Sequence, residues 1–132
     1  MKLELKKIKE QRENWLNAVN QNDILAMQDI LTEDAVWIPP GLPALNGRKA
    51  IVDWMGPFFE TFNYEFSINN MRIKGAGNWA FEQAQFTSKL TPKDDDGAAS
   101  THEGKYIMIW RWEKDNTWRI ERYLDDSDTD DS

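Results

Sequence analysis

The chain has 132 residues and a mass of 15.5 kDa, the usual size of one domain. It has no cysteine and a single histidine, which excludes disulfides, thiolate metal sites and multi-histidine metal sites within one chain. Its net charge is −7, and its basic residues are not clustered, which argues against a nucleic-acid partner. No run approaches about 18 apolar residues, and no signal segment is evident. We therefore expect a cytoplasmic protein that does not enter a membrane.

Much of the negative charge lies at the end of the chain. Residues 125–132 read DDSDTDDS and hold five aspartates. Such a run repels itself and has nothing apolar to bury. The sequence therefore predicts a single domain over residues 1–124 and an acidic, disordered tail over residues 125–132.

Three helices and one short strand are predicted in the first half of the chain. Apolar residues spaced three and four apart indicate a first helix over residues 5–19. Asp23 is a suitable N-cap for a short second helix. The apolar run 35–38 predicts a strand that is stopped by the prolines after it. A third helix begins near Arg48 and carries its apolar face as far as Phe62.

After the third helix the apolar period changes from helical spacing to two. This period predicts a meander of long strands, with a bulge near Asn69 where the parity of the apolar residues changes. The strands are expected at residues 64–73, 79–90, 102–113 and 117–124. Helices segregated from a mostly antiparallel sheet define the α+β class.

Two stretches of the sequence resemble the nuclear transport factor 2-like superfamily, which includes ketosteroid isomerases and SnoaL-like polyketide cyclases. The first is DAVWIPPG at 34–41, followed by GRKAI at 47–51, and the second is GKYIMIWR at 104–111, followed by WRI at 118–120. The resemblance implies a cone-shaped domain in which a curved, mostly antiparallel sheet wraps around three N-terminal helices and an internal pocket. It also implies a homodimer through the outer face of the sheet.

One position departs from the pattern of the ketosteroid isomerases. In those enzymes an aspartate directly before the proline of the first motif is the general base. The matching residue here is Ile38, and an alkyl side chain cannot accept a proton. Steroid isomerase chemistry is therefore disfavoured.

Three residues are candidates for catalysis. Glu82 shares strand parity with small and apolar residues, so its carboxyl group must be paired, hydrated or raised in pKa. Parity suggests that Arg122 faces it, although a strand bulge would reverse that direction. His102 could transfer protons at the rim of the pocket, and Tyr106 could donate a hydrogen bond to a ligand carbonyl. The alternatives are an ordinary ion pair, an exposed rim residue and a core tyrosine.

The aromatic residues admit two interpretations. They are either plain core or the wall of a pocket for a flat or cyclic apolar ligand. The predicted wall consists of Trp15, Trp37, Trp54, Phe58, Phe62, Phe86, Met108, Trp110 and Arg122.

Two functions follow from these features. The first is a small-molecule-binding protein without catalysis and without a cofactor or metal. The alternative is a cofactor-independent isomerase, dehydratase or cyclase that uses a pocket carboxylate for proton transfer.

Overall fold

A computed structural model describes residues 5–94 and 97–127 of the chain. Within these residues the three predicted helices are present, and the sheet has six strands. The helices are α1 (Leu5–Asn20), α2 (Ile24–Ile30) and α3 (Arg48–Thr61). The strands are β1 (Leu31–Ile38), β2 (Leu45–Asn46), β3 (Phe62–Ala76), β4 (Trp79–Pro92), β5 (Ser100–Trp112) and β6 (Trp118–Ser127). None of the described helices is long and apolar enough to cross a membrane.

The strands form one open sheet in the order β2-β1-β6-β5-β4-β3. Every pairing is antiparallel except that of β1 with β6. All three helices contribute to one core with the inner face of this sheet. The predicted α+β class with a mostly antiparallel sheet around three helices is confirmed.

Polar side chains fix the turn between the first two helices. Asp23 caps α2 as predicted, because its carboxylate accepts a hydrogen bond from the backbone N–H of Ala26 at 3.1 Å. The preceding residue, Asn22, has a φ of 54°, and its side-chain amide donates to the carbonyl of Phe59 at 2.6 Å. This hydrogen bond joins the α1–α2 turn to the end of α3. The helices are thereby held over the sheet.

The period-two pattern of β4 separates its two faces cleanly. Its even-numbered residues from Ala80 to Ser88 are buried, and the odd-numbered residues before Thr87 are exposed. The predicted irregularity of β3 is also present, since its register with β4 shifts between Asn69 and Arg72. Register and burial together place Glu82 in the interior.

A second bulge, in β6, was not predicted. Ile109 pairs with Arg122, whereas its neighbour Trp110 pairs with Ile120, so Glu121 has no partner of its own. Because of the extra residue, each later residue of β6 points to the opposite face of the sheet from the one that simple alternation predicts. As a result Tyr123 is buried, and Arg122 is exposed.

The first three residues of the predicted tail, 125–127, belong to a strand. β6 continues through Asp125 and Asp126 to Ser127, and Asp125 pairs with Tyr106. Pairing with a neighbouring strand keeps these acidic residues in the sheet despite their composition. The remainder of the predicted tail, 128–132, lies outside the described residues, as do residues 95 and 96 of the β4–β5 connection.

Candidate functional site

A cavity of about 170 Å³ lies between the helices and the inner face of the sheet. Its wall is largely aromatic, and rings from different elements pack against each other there. Trp37 of β1 stacks on Tyr123 of β6 with ring centroids 4.0 Å apart, and Phe66 stacks on Phe86 at 5.2 Å. The cavity is lined by Trp15, Val19, Met27, Trp37, Trp54, Met55, Phe59, Tyr64, Phe66, Phe86, Ser88, Tyr123 and Asp125.

Gly104 on β5 allows one part of this wall to form. A Cβ atom at that position would lie 2.8 Å from the ring of Phe86 and would also collide with the backbone carbonyl of Asp126. Real Cβ atoms do not approach other atoms so closely. The missing side chain therefore lets the Phe86 ring lie against the sheet.

Four of the residues predicted for the pocket do line it. Those four are Trp15, Trp37, Trp54 and Phe86. The other five lie elsewhere. Met108 and Trp110 are completely buried in the core, Phe58 packs on the edge of Trp54, Phe62 begins β3, and Arg122 is exposed.

Glu82 is completely buried beneath this cavity and does not line it. It pairs with Met108 on β5, which places Tyr106 and Trp110 at the two diagonal positions. The hydroxyl of Tyr106 donates to Glu82 Oε2, and the indole N–H of Trp110 donates to Oε1 at 3.2 Å. Both carboxyl oxygens are therefore engaged inside the protein.

Burial raises the pKa of the Glu82 carboxyl above its ordinary value of 4.5. The hydrogen bonds from Tyr106 and Trp110 and the charge of Arg12 act in the opposite direction and are together weaker. Burial and the adjacent carboxyl likewise raise the pKa of Tyr106. Glu82 and Tyr106 therefore form a buried hydrogen-bonded pair, and none of the described residues forms a salt bridge with Glu82.

The predicted pairing of Glu82 with Arg122 is wrong. The Arg122 side chain is 51% exposed, and its Nε lies 3.2 Å from Glu121 Oε1. The cause is the bulge at Glu121, which turns Arg122 to the outer face of the sheet.

Asp125 is the carboxylate that reaches the cavity wall, although the acidic run around it predicts a tail residue. Burial raises the pKa of Asp125, and its hydrogen bond with the Tyr123 side chain lowers it by less. The pKa of Tyr123 is raised well above its ordinary value, first by burial and then by this carboxylate. Tyr123 and Asp125 thus raise or lower each other's pKa at the cavity wall.

The structure places His102 and Tyr106 outside the lining of the cavity. His102 is half-buried on β5, opposite Ser88, which does line it. Tyr106 is buried one layer deeper, and its ring lies 5.5 Å from that of Tyr123. Among the described residues, no three acidic or histidine side chains form a group that could hold a metal ion.

A known protein family and several solved structures share this architecture. The SnoaL-like domain family matches residues 13–123, so the chain belongs to that family. No curated protein matches the chain.

Solved structures show the same fold at low identity. A ketosteroid isomerase-like protein from Erwinia carotovora atroseptica has a TM-score of 0.82 at 23% identity, covering 98% of this chain and 100% of that one. A nuclear transport factor 2-like superfamily protein from Salmonella enterica scores 0.84 at 16% identity, covering 96% and 92%. A candidate dehydratase from Streptomyces avermitilis scores 0.84 at 12% identity, covering 96% and 97%. The chain thus has the nuclear transport factor 2-like fold.

Proposed function

We propose that the chain binds a small cyclic molecule, largely apolar, in its aromatic cavity. The observation that carries this proposal is the wall itself, in which eight aromatic side chains surround space rather than filling it. An apolar cavity of about 150 Å³ is large enough to take up benzene. A volume of about 170 Å³ therefore suits a ligand with one ring.

Occupation of the cavity can be tested with toluene and benzyl alcohol. Three tryptophans line the cavity, so we expect either probe to change the tryptophan fluorescence in a saturable way. Ser88→Leu places a larger side chain in the cavity and should abolish binding, because Ser88 is buried at its wall. Ser67→Leu is the matched control, since Ser67 is exposed on β3. Equal binding by both variants would contradict the proposal.

The same protein sample also tests the expected homodimer. The outer face of the sheet carries exposed apolar residues, of which Phe81 is 46%, Ile107 49% and Leu124 44% exposed. Contiguous exposed apolar residues are typical of interaction surfaces. We propose that two copies pair through this face. Native mass spectrometry should show two subunits, and a monomer at micromolar concentration would exclude the pairing.

A second candidate is a cofactor-independent isomerase, dehydratase or cyclase. It is favoured by the position of Asp125, because a carboxyl group with a raised pKa at a cavity wall is suited to proton transfer. The ionised group would remove a proton from the ligand, and the protonated group would return it at another atom. Glu82 is less suited to this role, since both of its oxygens are engaged below the cavity.

Proton transfer can be tested without knowing the natural substrate. Deuterium exchange at the enolisable α′- and γ-carbons of 2-cyclohexenone, followed by NMR in D₂O, reports removal of a carbon-bound proton. A catalytic Asp125 predicts that Asp125→Asn lowers the exchange rate by about 10²–10⁴-fold while the ketone still binds. Equal exchange rates in the two proteins would leave the binding function alone standing.

A further inference from the structure

The charge in the described lining of the cavity is of one sign. Its wall holds one carboxylate, Asp125, and the described residues that line it include no lysine or arginine. The neighbouring Asp126 also acts on Asp125, but it is outside the lining and lies 3.8 Å from Lys105. The charge of Arg12 acts on Glu82 and Tyr106, which lie outside the cavity lining, as does Arg12 itself. Among the described lining residues, an occupant of the cavity therefore meets a carboxylate and no cationic side chain.

The aromatic wall also favours a positively charged ligand. The faces of tryptophan, tyrosine and phenylalanine rings are negative, and each attracts a cation with about 0.5–2 kcal/mol. Trp37 and Tyr123 are stacked beside the carboxylate, and Trp15 lies with its ring centroid 5.9 Å from that of Tyr123. Grouped aromatic rings are the arrangement that recognises quaternary ammonium groups in other proteins, and this wall holds a carboxylate in addition.

The carboxyl group of Asp125 is partly withdrawn from water at the cavity wall. A half-buried carboxylate that faces no cationic side chain in the cavity lining carries a desolvation cost. A ligand with an N–H or alkylammonium group would provide the missing charge and leave its carbon atoms against the rings. A neutral ligand of the same size would gain the apolar contacts alone.

We propose that the natural ligand of this cavity is a small organic cation, an ammonium compound with about one ring or a comparable set of alkyl groups. Its charge would lie at Asp125 and its carbon atoms against the aromatic wall. This inference rests on the proposed binding function and specifies the chemical class of the ligand.

Benzylamine and benzyl alcohol distinguish the preference for a cation from binding in the cavity itself. Both contain the same ring and the same number of non-hydrogen atoms, but benzylamine is positively charged at pH 7. We expect benzylamine to bind the full chain at least about tenfold more tightly, as measured by isothermal titration calorimetry. If benzyl alcohol binds equally well or better, the cation inference is overturned and the binding function stands. If neither probe binds, the binding function itself is overturned.

Two single-residue variants test whether the ammonium group of benzylamine binds at Asp125. Asp125→Asn keeps the shape of the side chain and should reduce benzylamine to the affinity of benzyl alcohol. Asp126→Asn is the matched control, because Asp126 is 70% exposed and lies 3.8 Å from Lys105. It should retain most of the preference for benzylamine. A preference that survives in Asp125→Asn, or that is lost equally in both variants, would overturn the assignment to Asp125. The comparison of the two probes on the unaltered chain needs no variant to fold.

Discussion

The free energy of unfolding is expected to fall as the pH rises above 4.5, the ordinary pKa of a glutamate, and Glu82→Gln is expected to flatten this dependence. Burial raises the pKa of Glu82 in the folded chain above 4.5, so the unfolded chain loses the proton first. Between the two pKa values the folded state holds more protons, and stability declines by up to about 1.4 kcal/mol per pH unit. A glutamine has no proton to lose. Urea unfolding at several pH values measures the slope.

Two further variants isolate the contribution of Glu82. The pKa of Asp125 is also raised, so Asp125→Asn should remove its own share of the slope, with the same sign. Glu65→Gln is the control, because Glu65 is 71% exposed on β3 and hydrated in the folded chain. The groups that face Glu82 are Tyr106 and Trp110 on β5 and Arg12 on α1. Parallel curves for the original chain and Glu82→Gln would show that another group carries the dependence.

Trp110→Ala is expected to lower the free energy of unfolding by about 3–5 kcal/mol. The side chain is completely buried, so its removal leaves a cavity in the core. It also removes the indole N–H that donates to Glu82 Oε1. A loss of this size is a large part of the stability of an ordinary domain. Chemical denaturation monitored by circular dichroism measures it.

Trp110→Phe separates the two effects and remains informative if the alanine variant does not fold. Phenylalanine keeps most of the ring volume but leaves Glu82 with one donor fewer, which we expect to cost about 1–3 kcal/mol. Trp79→Ala is the control on the neighbouring strand, since Trp79 is 39% exposed. If Trp79→Ala costs as much as Trp110→Ala, burial at position 110 does not account for the loss.

Periodicity predicted most of the fold. Apolar spacing located the helices and the long strands, because amphipathic elements must place their apolar residues toward one core. The two-residue strand β2 was missed, since so short an element has no period to detect. The helical face of α3 was predicted through Phe58, whereas the more deeply buried residue is Phe59, at 4% exposed.

The site was less predictable, and a single residue explains much of the difference. Glu121 sits at a bulge, and the residues after it lie on the opposite face from the one that simple alternation gives. Alternation therefore assigned Arg122 to the pocket and left Tyr123 out. Asp125 was missed for a compositional reason, since its neighbours form an acidic run. The period-two spacing of Tyr123 and Asp125 was the signal that could have identified both.

The strand order has a consequence for how the chain is made. β6 lies in the middle of the sheet, between β1 and β5, although it follows all the other strands in the sequence. During synthesis β1 and β5 have unpaired edges until β6 is made, and unpaired strand edges can pair with other chains. The helices and β1 cannot settle on a complete sheet before Trp118–Ser127 has left the ribosome. Premature termination before this segment is therefore expected to yield aggregating fragments rather than a smaller folded domain.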